Sequence, residues 1–303
     1  MTRPVFSRPG LRLTTGHSPQ RRRAMAAILG VGLAGTLALA GCSQGASPAP
    51  KSVVAAALPG EHVHGISRDP GSGKVNLATH EGLFVLQSDA SWQKVGPTVD
   101  LMSFAITGPG TFYASGHPAE GVDLPAPVGL IKSTDAGRTW TVMSLGGQSD
   151  FHALTASSTA VTGFDGVLRT TTDGKSWSQG GLSVEPSSLA AAPDGSQVLA
   201  TTGQGLFSST DAGATWVPLA SAPPLLLTAW ADSKTVVGVT SQGGLVVSED
   251  AGSSWKKGAA TLTSAEAVCA TRDKAGLLEI LVATDKGVVQ SRDDGATVTV
   301  LTS

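Results

Sequence analysis

One stretch of eight residues returns along the chain and constrains everything else. Ser133 to Trp140 reads STDAGRTW. Ser209 to Trp216 reads STDAGATW, and Ser248 to Trp255 reads SEDAGSSW. Ser291 to Val298 reads SRDDGATV, with Val298 where the others carry Trp. Thr170 to Trp177 reads TTTDGKSW, with its Asp one place late at Asp173, directly before Gly174. A shorter copy, Ser88 to Trp92, has lost the Gly. This pattern specifies a tight turn. The carboxylates of Asp135, Asp211, Asp250 and Asp293 are placed to accept backbone N–H bonds, and Gly137, Gly213, Gly252 and Gly295 take the positive φ that other residues resist. The hydroxyls of Ser133, Ser209, Ser248 and Ser291 add a second local bond. Trp140, Trp177, Trp216 and Trp255 pack over the loops.

Each copy follows an apolar run that opens with Gly: Gly82, Gly129, Gly166, Gly205, Gly244 and Gly287, spaced 47, 37, 39, 39 and 43 apart. Every repeat holds four short apolar runs, A to D. In the first they are His62–Arg68, Lys74–His80, Leu83–Gln87 and Trp92–Val95. In the last they are Ala267–Thr271, Glu279–Thr284, Val288–Gln290 and Thr297–Leu301. Turn pairs such as Pro70-Gly71, Pro109-Gly110 and Asp194-Gly195 separate A from B. No helical period follows the leader. A period near 40 made of strands and turns predicts an all-β fold, a six-bladed β-propeller of four-stranded antiparallel blades.

These repeats, over Glu61 to Leu301, resemble the Asp-box (BNR) family of β-propellers, which includes sialidases, the sortilin ectodomain and the photosystem II assembly factor of thylakoids. The segments His62-Val-His64-Gly65, Ala78-Thr79-His80-Glu81-Gly82, Ser115-Gly116-His117-Pro118 and Asp150-Phe151-His152-Ala153 look like exported bacterial Asp-box proteins labelled glycosylhydrolase or exo-alpha-sialidase-like. The resemblance implies a sialidase-like fold. Fold alone does not carry chemistry.

Residues 1–41 read as an export signal. Arg21-Arg22-Arg23 precede an uncharged run from Ala24 to Ala40, and Leu39-Ala40-Gly41-Cys42 has the form of a lipobox. Cleavage would leave Cys42 to be lipidated, followed over residues 42–60 by a Ser/Ala/Pro tether. An uncleaved membrane anchor is the alternative. Arg21-Arg22 leave both Sec and Tat export open. The propeller is then expected over 61–303, with Ser52–Ala57 as a further candidate strand of open role. This reading places the protein on the outer side of a bacterial cell membrane, as a monomer.

Six of the 21 basic residues lie in the leader and none of the 23 acidic ones does, so the remainder has 15 against 23 and a net charge of −8. That argues against nucleic acid as a partner and leaves the acyl chains on Cys42 to make the membrane contact. Cys269 then has no disulfide partner and reads as a small core residue, with a reactive thiol as the alternative.

Strand polarity sorts the histidines. In an up-and-down blade the starts of A and the ends of B share one face of the ring, called the top here, and the C–D turns lie on the other. His62 and His64 begin A of blade 1, and at i, i+2 they point the same way. His80 ends B of blade 1, His117 follows B of blade 2, and His152 begins A of blade 3. Glu81, Asp100, Met102, Asp150 and Asp165 belong to the same face. The proline-containing connection from Ser115 to Gly129 is placed to roof it.

Imidazoles gathered on one rim suit copper or zinc, with His64, His80, His117 and His152 as leading ligands and His62 and Met102 next. Met102 tilts the choice toward copper. Asp150, Asp165 and Glu81 are candidate ligand-binding carboxylates. A polar pocket without metal is the competing reading, and so is a set of turn and core histidines without function. A sialidase needs three Arg to clamp a carboxylate and a Tyr nucleophile with a Glu partner. Arg138 and Arg292 lie in the recurrent turns, Arg68 and Arg272 end A strands, and Arg169 ends a C strand, so no such triad is expected on the top face. The one Tyr, Tyr113, has no Glu beside it, and Glu185 is distant. The reading leans away from catalysis, toward a binding protein. Another glycosidase, a glycan-binding protein and a scaffold docking on membrane proteins stay open.

Overall fold

A computed structural model describes residues 58–301. The leader, Cys42, the tether up to Ala57 and the candidate strand Ser52–Ala57 lie outside the described residues. Among the described residues no helix is long and apolar enough to cross a membrane.

The described chain forms six four-stranded antiparallel sheets, each made of four consecutive strands. Blade 1 holds β1 (Val63–Arg68), β2 (Val75–Thr79), β3 (Gly82–Leu86) and β4 (Trp92–Val95). Blade 2 holds β5 (Val99–Gly108), β6 (Thr111–Pro118), β7 (Leu130–Ser133) and β8 (Thr141–Ser144). Blade 3 holds β9 (Ala153–Ala156), β10 (Val161–Phe164), β11 (Leu168–Thr171) and β12 (Ser178–Gln179). Blade 4 holds β13 (Pro186–Ala191), β14 (Val198–Thr202), β15 (Gly205–Ser209) and β16 (Val217–Pro218). Blade 5 holds β17 (Leu225–Trp230), β18 (Val236–Thr240), β19 (Gly244–Ser248) and β20 (Lys256–Thr261). Blade 6 holds β21 (Ala265–Arg272), β22 (Leu278–Thr284), β23 (Gly287–Ser291) and β24 (Thr299–Val300). The first strands of successive blades touch one another, and β1 meets β21 to close the ring. The protein is a six-bladed β-propeller.

Burial explains the apolar runs. The second strands β2, β14, β18 and β22 are buried along their whole length. A neighbouring blade covers each of their faces, so they read as continuous apolar segments rather than alternating ones. The outer strands β12 and β16 are exposed. The core is six apolar clusters, one at each seam between blades. The closing seam joins Val63 and Leu77 of blade 1 to Cys269 and Leu281 of blade 6. Cys269 is therefore a core residue, and burial pushes its thiol up to about 11.

The recurrent turns sit on the face away from the imidazoles, beside the A–B turns: Ala136 N–H donates to Gly110 O at 3.0 Å. In blade 2 the Ser133 hydroxyl donates to Asp135 Oδ1 at 2.8 Å and accepts from Gly137 N–H at 2.8 Å. Thr139 donates its N–H and hydroxyl to the two oxygens of Asp135 at 2.9 and 2.7 Å. The same bonds recur around Asp211, Asp250 and Asp293. In blade 4 the Thr215 hydroxyl and then its N–H hold the Asp211 carboxyl down to about 2.

Two details differ from the sequence reading. Positive φ is not confined to glycine: Ala136, Ala212, Ala251 and Asp294, each just before the Gly, have φ of 60, 56, 58 and 56°. In blade 3, Asp173 is not displaced from its hydroxyl. Thr171 takes the Ser role, donating to Asp173 Oδ1 at 3.0 Å and accepting from Gly174 N–H at 2.9 Å. The turn is one residue shorter after the Asp, so only Gly174 takes positive φ there, at 72°.

The turns also key one blade into the last. A Cβ on Gly137 would lie 2.1 Å from Cδ2 of Leu83, a fully buried residue of β3 in the preceding blade. Gly137→Ala combines this overlap with a φ of 82° and should destabilise the fold by about 2–3 kcal/mol in urea unfolding. Gly73→Ala, with a φ of 71° and open space around it, should cost only about 1 kcal/mol.

Candidate functional site

The top face is shaped by a repeated irregularity of the inner strands. Pairing of the first and second strands slips by one residue between Val63 and Gly65, Leu101 and Ser103, Pro186 and Ser188, Leu225 and Leu227, and Ala265 and Ala267. The extra residues are His64, Met102, Ser187, Leu226 and Glu266. Blade 3 reaches the same arrangement just before β9, where His152 N–H donates to Phe164 O, on the residue that Ala153 opposes. A bulge re-aims a side chain. Here His64, Met102, His152, Ser187 and Glu266 all line one cavity of about 250 Å³ at the mouth of the axial channel.

The five histidines of the sequence reading divide into two groups on this face. In the first, His64 Nε2 lies 3.2 Å from His80 Nε2, with the rings edge to face at 4.4 Å between centroids. His80 Nδ1 lies 2.8 Å from Asp100 Oδ1. Ligand atoms of His64, His80 and Asp100 all lie within 4.8 Å of one another, which fits a single metal ion. His62 stands edge-on to His80 at 5.8 Å and 4.0 Å from Glu266 Oε1, with its side chain 64% exposed. Glu266 Oε2 also accepts the N–H of Val63 at 2.9 Å, which links blade 6 to blade 1 at the rim.

In the second group Asp150 Oδ2 takes His152 Nε2 at 2.8 Å, and His117 Nδ1 approaches to 3.8 Å. The other oxygen, Oδ1, is buried and has no hydrogen-bond partner. His117 and His152 flank this carboxylate and do not join the first group. Asp165 is engaged elsewhere, by the Ser149 hydroxyl at 2.7 Å and by Arg169 Nε at 3.3 Å. Glu81 is exposed beside the rim.

Three expectations need correction. The connection after β6 does not roof the imidazoles: Ala119 N–H donates to Thr98 O and Val128 N–H to Gly116 O, so it folds back on its own blade. Arg169 does not end its strand. It is the second residue of β11, near the top face, where Asp165 neutralises it. Asp100, placed on this face but not among the ligands, is the carboxylate that completes the first group. Arg68, Arg272 and Arg292 pair with Glu279, Asp232 and Asp273 instead of facing an anion site.

His64 is the perturbed imidazole of the rim. Burial, then the neighbouring His80, lowers its pKa, and Asp100 partly opposes this. It therefore stays neutral, and able to bind a metal, below the usual imidazole value of about 6.5. In metal-free protein followed by NMR, the His64 ring should titrate below that value. Asp100→Asn should lower it further, because a charge favouring the imidazolium is removed.

Ring, faces and rim together define a class: a six-bladed β-propeller with an imidazole–carboxylate cluster on the rim of its top face. No family profile matches the chain, and no curated protein matches it significantly. Solved structures share the fold. YCF48 bound to a D1 peptide is 15% identical, over 80% of this chain and 83% of that one, with a TM-score of 0.50. The GH74 enzyme of Niastella koreensis is 14% identical, over 80% of this chain and 54% of the enzyme, with a TM-score of 0.52. The extracellular domain of BT4673 from B. thetaiotaomicron is 14% identical, over 82% of this chain and 34% of that one, with a TM-score of 0.53. At such identities the likeness is one of fold.

Proposed function

We propose that this protein is an exported, lipid-anchored β-propeller that binds a transition-metal ion, copper or zinc, on the rim of its top face. The observation that carries the reading is the 3.2 Å separation of His64 Nε2 and His80 Nε2 beside Asp100. Two imidazole nitrogens on a tetrahedral ion, each about 2.0–2.1 Å from it, stand about 3.3 Å apart. Asp100 holds Nδ1 of His80 and so leaves Nε2 as the lone-pair nitrogen, the usual carboxylate–imidazole arrangement around a bound metal. His62 is a third imidazole within reach. The remaining positions are open to water or to an external donor, which suits carriage or sensing of the ion as well as chemistry on it.

The recurrent turns read as Asp-box repeats. The lipobox at Leu39-Ala40-Gly41-Cys42 supports anchoring through Cys42, and the −8 charge of the remainder leaves that anchor as the membrane contact.

Protein purified after leader removal and dialysed should retain about one equivalent of copper or zinc by elemental analysis. His64→Ala should abolish retention of either metal and His80→Ala retention of zinc, while His117→Ala keeps both. A wild-type protein that retains neither metal overturns the reading. In cells, Cys42→Ser should move the protein from the membrane fraction to the soluble fraction. Unchanged membrane association would overturn lipid anchoring.

A further inference from the structure

The rim cluster uses one bulge residue, His64. The bulges of the next two blades are not part of it, and they add a thioether and a second imidazole to a channel mouth that Ser187 and Glu266 also line. His64 of blade 1, Met102 of blade 2 and His152 of blade 3 occupy equivalent places on adjacent inner strands. All three line the cavity at the channel mouth. A bulge at the same level in each strand places the three side chains around one opening, with His152 the most exposed of them. His152 is held by Asp150 through Nε2 at 2.8 Å, which fixes the ring and leaves Nδ1 as its other nitrogen. Met102 is half-buried, so its thioether is neither sealed in the core nor free in solvent. Below them, Ile66, Phe104, Leu154, Leu189, Thr228 and Val268 line both this cavity and the one beneath it.

We infer that the channel mouth is a second metal site, selective for cuprous ion, formed by His64, Met102 and His152. The three donors are two imidazoles and one thioether. Thioether sulfur selects Cu(I), whereas imidazole with carboxylate at the rim suits Zn(II) and Cu(II). His64 belongs to both sites. An ion at the rim and an ion in the mouth therefore compete for one imidazole, and rotation of that ring would pass an ion from one to the other. The inference shares His64 with the rim reading but does not require the rim to hold an ion.

The test is a pair of competition titrations on the leader-free protein and its variants. Cu(I) is measured anaerobically in ascorbate against bicinchoninate, and Zn(II) against a fluorescent chelator. Met102→Leu conserves volume and should leave the thermal midpoint unchanged. It should weaken Cu(I) binding at least tenfold and leave Zn(II) within twofold. His80→Ala should do the reverse. X-ray absorption of the Cu(I) form should show a sulfur neighbour that Met102→Leu removes. Cu(I) affinity unchanged by Met102→Leu, or both metals weakened equally by it, overturns the second site. Cu(I) binding without Zn(II) or Cu(II) binding would instead overturn the rim reading and leave this one standing. Failure to bind any of the three ions removes both.

Discussion

Each blade depends on its neighbours for burial. A four-stranded sheet with two apolar faces is not stable alone in water, and stacking around an axis is what covers both. In a linear stack two end faces would stay exposed. Here the last pair is joined by packing Val63 and Leu77 against Cys269 and Leu281. Glu279, 3% exposed, reinforces the same seam by accepting Arg68 Nη2 from blade 1 at 3.0 Å and Arg292 Nη2 from its own blade at 2.8 Å. Removing either arginine would leave a buried carboxylate short of a partner, which costs more than the pair itself contributes.

Closure also builds the rim. Val63 and Glu266 are 203 residues apart in sequence and share a hydrogen bond at the top of the seam. His62 approaches the same carboxylate. The candidate metal group spans blade 1: His62 beside it reaches the closing seam at Glu266, and His80 bonds Asp100 of blade 2 on the other side. A change that loosens the closing seam would reach Val63 and His62 first.

Much of this was legible in the residues, for a simple reason. Strand direction alone puts His62, His64, His80, His117 and His152 on one face, because each stands at the start of an A strand or the end of a B strand. Turn chemistry put Asp135, Asp211, Asp250 and Asp293 on the other. The grouping within the face was not legible. It depends on which carboxylate stands between blades: Asp100 draws in His80, and Asp150 draws in His152 and His117. It depends also on bulges, which have no sequence signature here, since the extra residue is His, Met, Ser, Leu or Glu in different blades. A period-two reading lets these positions alternate in and out, while the observed slip brings His64, Met102, Ser187 and Glu266 to the channel mouth and leaves Leu226 exposed. The short turn of blade 3 was misread for a similar reason. Alignment on Gly174 shifted Asp173, whereas alignment on the Thr171 hydroxyl restores it.

At the rim a proton and an ion compete for the space between His64 and His80. His64 Nε2 lies 3.2 Å from Nε2 and 3.4 Å from Nδ1 of His80, with the rings edge to face, so it sits beside both ring nitrogens and not in line with one lone pair. A proton on His64 Nε2 can be shared with His80, whose own proton Asp100 holds on Nδ1. That arrangement leaves one neutral N–H···N bond, on the order of 1 kcal/mol net. An ion toward which the His80 ring turned its Nε2 would use both lone pairs, keep the Asp100 bond and release the proton. Burial, followed by the nearby His80, holds His64 below the ordinary imidazole value and so weakens the competing imidazolium. The same burial that makes His64 a poor base for protons thus leaves it available to a metal, and that is why this pair, rather than the exposed His62, is the centre of the proposed site.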